Sequence, residues 1–145
     1  MATKSKMNVA EKIIEAHMVS GDMTPGEEVG IKIDQGLCQD TLGLLTALTL
    51  EALDKERIQV ELACQYVDHN LLQTDNKAAE DHHFLKTTCQ RFGMHYSPAG
   101  NGISHPVHME RLGRPGATLI GGDSHSCSAG SLGMIGMGTG SIEVG

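Results

Sequence analysis

The sequence predicts an α/β fold, a three-layer α/β/α sandwich, from three observations. Short runs with strand character lie at residues 29–33, 58–67, 94–96 and 117–120. Stretches with helical patterning separate them, an alternation that places a sheet between layers of helices. Polar clusters close several of the runs, and open α/β sheets gather their ligands at such strand mouths.

Residues 1–7 are expected to be disordered, leaving 8–145 as the folded part. Asn8, with Glu11 three positions on, has the pattern of a capping box for a helix carrying Val9, Ile13 and Ile14 and ending near Ser20-Gly21. Thr24-Pro25-Gly26 reads as a turn, after which Val29, Ile31 and Ile33 alternate as a strand. Asp40 or Thr41 caps a second helix whose Leu42, Leu44, Leu45, Leu48 and Leu53 are apolar on more than one side, so it calls for burial on several faces. Ile58, Val60 and Leu62 alternate into a strand reaching Tyr66-Val67. Asn76 caps a third helix running to Phe92, which Gly93 ends. A short strand over 94–96, a loop over 98–102 and a helix over 103–112 follow, with Pro106 in that helix's first turn. Residues 117–120 form the next strand, a glycine-rich stretch comes after it, and residues 140–145 look like the start of a further helix. That last feature suggests a chain truncated at Gly145; a complete domain with a frayed tail is the alternative.

A formal charge of −7 leaves no basic surplus to neutralise phosphates, which argues against nucleic acid or an anionic membrane as partner. Two Tyr, two Phe and no Trp make a poor platform for stacking bases. No apolar run approaches the roughly 20 residues that cross a bilayer. Cys38, Cys64, Cys89 and Cys127 show no C-x-x-C pairing and the N-terminus lacks a signal-peptide core, so reduced thiols and a cytoplasmic location are expected. A small molecule is the expected partner.

Chemistry concentrates in Asp34-Gln35 to Gln39-Asp40, Asp68-His69-Asn70, Ser104-His105 and Asp123-Ser124-His125. Parallel strands would bring these clusters to one edge, where a carboxylate raises the pKa of an imidazole and fixes its tautomer. Asp68 and Asp123 can equally be plain caps. Asp68 beside His69 is weak evidence for a pair, because neighbours on a strand point to opposite faces. His105 and His108, spaced i, i+3, can share a helix face as a metal pair, although no third ligand is in register. His17, His82, His83 and His95 read as surface or packing residues. Gly133, Gly136, Gly138 and Gly140 do not fit a phosphate-binding loop and suit close backbone packing. Ser124-His125 lacks the G-x-S-x-G of a nucleophile elbow.

Six ordered segments, Pro25-Gly26-Glu27-Glu28, Ile33-Asp34-Gln35, Gln39-Asp40, Tyr66-Val67-Asp68-His69-Asn70, Gly100-Asn101-Gly102-Ile103 with His105, and Gly122-Asp123-Ser124-His125, resemble the aconitase family. That family includes aconitate hydratase, homoaconitase and the large subunit of 3-isopropylmalate dehydratase. The resemblance implies the first α/β/α unit of the family's iron-sulfur region and a hydro-lyase that moves a hydroxyl between adjacent carbons. Residues 66–70 look most like bacterial aconitases, which favours citrate and isocitrate; 3-isopropylmalate or homoaconitate dehydratase is the alternative, and a non-catalytic anion-binding module the alternative of another class.

The resemblance further implies a [4Fe-4S] cluster in the full-length protein, held by cysteines expected downstream, with no metal ligand in this chain. Gln39 would bind a substrate carboxylate, and Asp123, Ser124 and His125 would line the substrate. Asp68 and His69 would protonate the departing hydroxyl, and His105 would join the same proton network with Asp123. A small tricarboxylate or hydroxy acid and the remainder of the same polypeptide are the expected partners, and the fragment alone is expected to be inactive.

Overall fold

The computed structural model describes residues 7–145. The disorder expected at residues 1–7 falls, apart from Met7, outside the described residues. Asn8 caps helix α1 (Val9–His17) as its pattern predicts: it accepts the Glu11 N–H at 2.9 Å, and Glu11 accepts the Asn8 N–H at 2.8 Å. The helix stops earlier than expected because Met18 turns extended and opens strand β1 (Met18–Ser20). Its antiparallel partner β2 (Gly30–Ile31) is all that forms of the strand predicted over 29–33, and it lies outside the main sheet.

The main sheet has five parallel strands, β3 (Gln35–Gln39), β4 (Leu62–Tyr66), β5 (His95–Ser97), β6 (Thr118–Gly121) and β7 (Ile135–Gly138), in the order β5-β4-β3-β6-β7. The central strand β3 is buried at all five residues. A strand covered on both faces loses its alternation, and this one carries two glutamines and a glycine, so the pattern passed it over. Asp34-Gln35 consequently sits at the beginning of a strand, at the opposite edge from the one expected. β7 was equally invisible within the glycine-rich stretch. Its Gly136, like Gly121 of β6, lies where a Cβ would run into Ser126, so the 3-10 helix Ser126–Leu132 presses directly on the sheet.

Side chains alternate across the sheet. Leu37, Cys64, Tyr66 and Leu119 pack with Ala129 and Met134, covered by Val107, Met109, Leu112 and Leu132 from helix α4 (Ser104–Arg111) and its surroundings. Cys38 and Gln65 point to the other face, against Gly43, Thr46 and Ala47 of α2 (Asp40–Ala52) and Leu85, Thr88 and Cys89 of α3 (Asn76–Phe92). These are the three layers. Contrary to expectation, α2 is not covered on several sides by the described residues, since Leu42, Leu45, Leu48 and Leu53 stay exposed. Helix α5 (Ser141–Val144) starts beside it, with Ser141 O accepting the Thr46 hydroxyl at 3.0 Å. No described helix is long and apolar enough to cross a membrane.

Strands β3, β4 and β5 build outward in one direction, and the chain then returns to lay β6 against the free side of β3. The reversal creates a crevice at the carboxyl ends of β3 and β6, the place where doubly wound sheets hold ligands. Gln39 and Gly121 end those two strands.

Candidate active site at the carboxyl edge of the sheet

After β4 the backbone leaves the pleat, so Asp68 and His69 no longer obey strand alternation. The Asp68 Oδ1 lies 2.8 Å from His69 Nδ1, and its Oδ2 accepts the Ser104 backbone N–H at 2.6 Å. The first turn of α4 therefore faces this carboxylate, a favourable placement for negative charge. Burial alone would raise the Asp68 carboxyl, but hydrogen bonding from Ser104 and from His69 outweighs it and holds the group below the usual range. His69 moves the other way. Partial burial disfavours its charge, yet Asp68, Asp40 and Asp123 together prevail and raise its pKa. With Nδ1 engaged by Asp68, Nε2 is the nitrogen free to pass a proton.

Ser104 links this pair to a second one. His105, its neighbour, places Nδ1 3.5 Å from Asp123 Oδ2, and Nδ1 is buried without a hydrogen-bond partner. Asp123 is almost enclosed and accepts the His125 backbone N–H at 2.8 Å. The His125 ring stacks on His105 with centroids 4.8 Å apart and planes 16° from parallel, its Nδ1 3.9 Å from the same carboxylate. Ser124 Oγ reaches His125 Nδ1 at 3.3 Å, although adjacency in the chain does not require that contact. At 3.9 Å Asp123 does not hydrogen-bond that ring, so no serine-histidine-aspartate relay forms.

Gln39 ends β3 at the same carboxyl edge of the sheet. Its Oε1 accepts the Thr41 N–H at 2.6 Å and so caps α2. That bond fixes the orientation of the amide, leaving NH₂ as a hydrogen-bond donor. Beside Asp68 a cavity of about 220 Å³ opens, lined by Leu71, Gly100, Gly102 and Ile103.

The metal pair weighed for His105 and His108 does not form: His108 turns inward, with Tyr66 Oη 3.0 Å from Nδ1 and Gln35 Oε1 3.0 Å from Nε2. The glutamine oxygen must accept, so Nε2 carries the proton and Tyr66 donates to Nδ1. Burial pushes the His108 pKa down to about 4, which keeps the ring neutral. His17 serves as a packing residue: it is half-buried and bonds Asp34 at 2.8 Å at the opposite edge of the sheet. Asp40, read in the sequence as a helix cap and as part of the Gln39-Asp40 cluster but given no role at the site, is the residue whose part was missed. It accepts three backbone N–H groups from the loop after β4. The adjacent Gln39-Asp40 and Asp68-His69-Asn70 motifs were both visible, but not the bonds between them.

The four cysteines do not fit an iron-sulfur cluster. Burial above all pushes Cys38 to about 12, Cys64 to about 11 and Cys89 to about 12, so all three stay thiols inside the sheet and α3. Cys127 is exposed.

The profile of the aconitase family (aconitate hydratase) matches residues 11–145. The chain is 36% identical over 146 residues to the 3-isopropylmalate dehydratase large subunit of Thermodesulfovibrio yellowstonii, covering 94% of this chain and 34% of that protein. It is 32% identical over 136 residues to 3-isopropylmalate dehydratase large subunit 1 of Thermotoga maritima, covering 94% and 32%. Against the mitochondrial aconitate hydratase of Schizosaccharomyces pombe it is 28% identical over 152 residues, covering 94% and 19%. The chain thus spans about a third or less of the length of these relatives. Its parallel sheet and the extent of the match make it a member of the aconitase family.

Proposed function

We propose that this chain is the N-terminal, proton-handling part of a hydro-lyase that dehydrates and rehydrates a small hydroxy acid. The observation that carries the reading is the convergence of Asp68-His69 and His105-Asp123-His125 on the two sides of the α4 N-terminus. Dehydration breaks a C–O bond and a C–H bond on adjacent carbons. The hydroxyl leaves as water only if a proton reaches it, and His69, kept charged to a higher pH by Asp68, supplies that proton from Nε2. In the reverse direction the same nitrogen takes the proton back from water. His105 and Asp123 extend the proton network, while the Gln39 amide, Ser124 and His125 donate to substrate carboxylates. The base that removes the carbon-bound proton comes from further polypeptide, as does any thiolate set for a [4Fe-4S] cluster. The chemistry assigned to this chain is confined to protons and carboxylates. Reduced thiols support a cytoplasmic setting.

Citrate and isocitrate are the first reading, on the likeness of residues 66–70 to bacterial aconitases. The higher identity to proteins named as 3-isopropylmalate dehydratases favours a second, in which one substrate carboxylate is replaced by an alkyl group. Turnover of both acids by the complete protein separates the readings. Citrate–isocitrate interconversion is expected; turnover of 3-isopropylmalate alone selects the second reading, and turnover of neither overturns both.

A further inference from the structure

Asp40 takes no direct part in that chemistry, yet its side chain is only 3% exposed. An acid in the first turn of a helix ordinarily faces its own helix's free N–H groups. Here Gln39 supplies the cap, and both Asp40 oxygens turn to a different element. Oδ1 accepts the N–H of Asp68 at 3.2 Å and of His69 at 3.0 Å, while Oδ2 accepts that of Asn70 at 2.6 Å. Three consecutive amides bonded to one buried carboxylate fix the peptide planes on both sides of the His69 Cα. Asp40 Oδ1 also lies 3.6 Å from His69 Nδ1, behind a ring already bonded to Asp68.

We infer that Asp40 is a positioning residue for His69: its carboxylate templates the loop after β4 so that the imidazole meets Asp68 with Nε2 free. The importance of that position rests on His69 being the proton donor, whereas the templating itself does not. Among the described residues, the charged groups acting on His69 are Asp68, Asp40 and, most weakly, Asp123.

The test is made by nuclear magnetic resonance on the complete protein, selectively labelled at Asp40 and at residues 68–70. In the unmutated protein, couplings across hydrogen bonds should connect the Asn70 and His69 amide nitrogens to the Asp40 carboxyl carbon. Asp40→Asn exchanges one acceptor for a donor, so the amide signals of residues 68–70 should shift and the His69 titration midpoint should fall. An unchanged His69 midpoint with unmoved amides overturns the inference. If the variant does not fold, the couplings in the unmutated chain decide, and their absence overturns it. In the complete protein, Asp40→Asn should lower kcat more than it alters KM and add nothing to His69→Ala. If His69→Ala leaves turnover intact while the resonance results hold, the catalytic reading fails and the templating stands. If His69→Ala abolishes turnover while Asp40→Asn moves no signal, the reverse is true.

Discussion

Two histidine-aspartate systems sit at opposite ends of the same parallel sheet, and their difference separates a strut from a tool. At the amino edge, His17 has Nδ1 2.7 Å from Ile13 O and Nε2 2.8 Å from Asp34. Asp34 also accepts the Thr118 N–H at 3.1 Å, and Thr118 Oγ1 accepts the Asp34 N–H at 3.0 Å while donating to Lys32 O at 2.8 Å. Burial would raise the Asp34 carboxyl, but Thr118 and His17 hold it below the usual range. Both nitrogens of the ring are satisfied, and the network ties α1 to β3 and β6. At the carboxyl edge His105 Nδ1 stands 3.5 Å from Asp123 without a hydrogen bond, and His69 uses one nitrogen only. Unmet hydrogen-bonding capacity at a topological switch point is what a substrate can use.

The largest expected effect breaks the tool and spares the strut. In the complete protein, His69→Ala should reduce turnover by about 10²–10⁴-fold, the usual contribution of a positioned general acid. Because its ring is half exposed, unfolding free energy should change by less than about 1 kcal/mol. Steady-state kinetics and urea unfolding read the two quantities. Asp34→Ala should do the opposite. Stripping a buried carboxylate from His17 and the Thr118 N–H is expected to cost about 3 kcal/mol, seen as a lower urea midpoint.

The buried His108 sharpens the contrast through pH. Its folded pKa of about 4 lies below the ordinary 6.5, so the unfolded chain binds a proton that the folded chain refuses. Its contribution is complete above pH 6.5 and is lost as pH falls toward 4, at most about 3 kcal/mol in all. His108→Asn should flatten the loss of stability between pH 7 and pH 5; an unchanged slope would mean the ring is protonated in the fold. Smallest of all, Ser124→Ala should shift unfolding by less than about 0.5 kcal/mol, since Ser124 is exposed, while raising KM.

The sequence made the carboxyl edge readable and left the amino edge obscure. Asp123-Ser124-His125 follows a strand whose apolar run is plain, whereas the alternation that announces Asp68-His69, at Ile58, Val60 and Leu62, lies mostly ahead of β4 yet leads to the same strand end. Asp34-Gln35 reads as a strand end but opens β3, because that strand is buried on both faces and carries no alternation. Local caps such as Asn8 with Glu11 were legible, as they depend on neighbours in sequence. Asp40 with the amides of 68–70, and Tyr66 with His108 and Gln35, join residues far apart in the chain. No spacing rule announces such bonds.

The convergence of distant motifs on one proton site is tested most directly by the His69 titration in Asp123→Asn. Asp123 lies more than fifty positions along the chain from His69, yet its charge acts on that ring. The midpoint of His69, followed by nuclear magnetic resonance, should fall toward the ordinary histidine value in Asp123→Asn and stay unchanged in Asp34→Asn. A His69 midpoint indifferent to Asp123 would show the two clusters to be separate, and the single site would not exist.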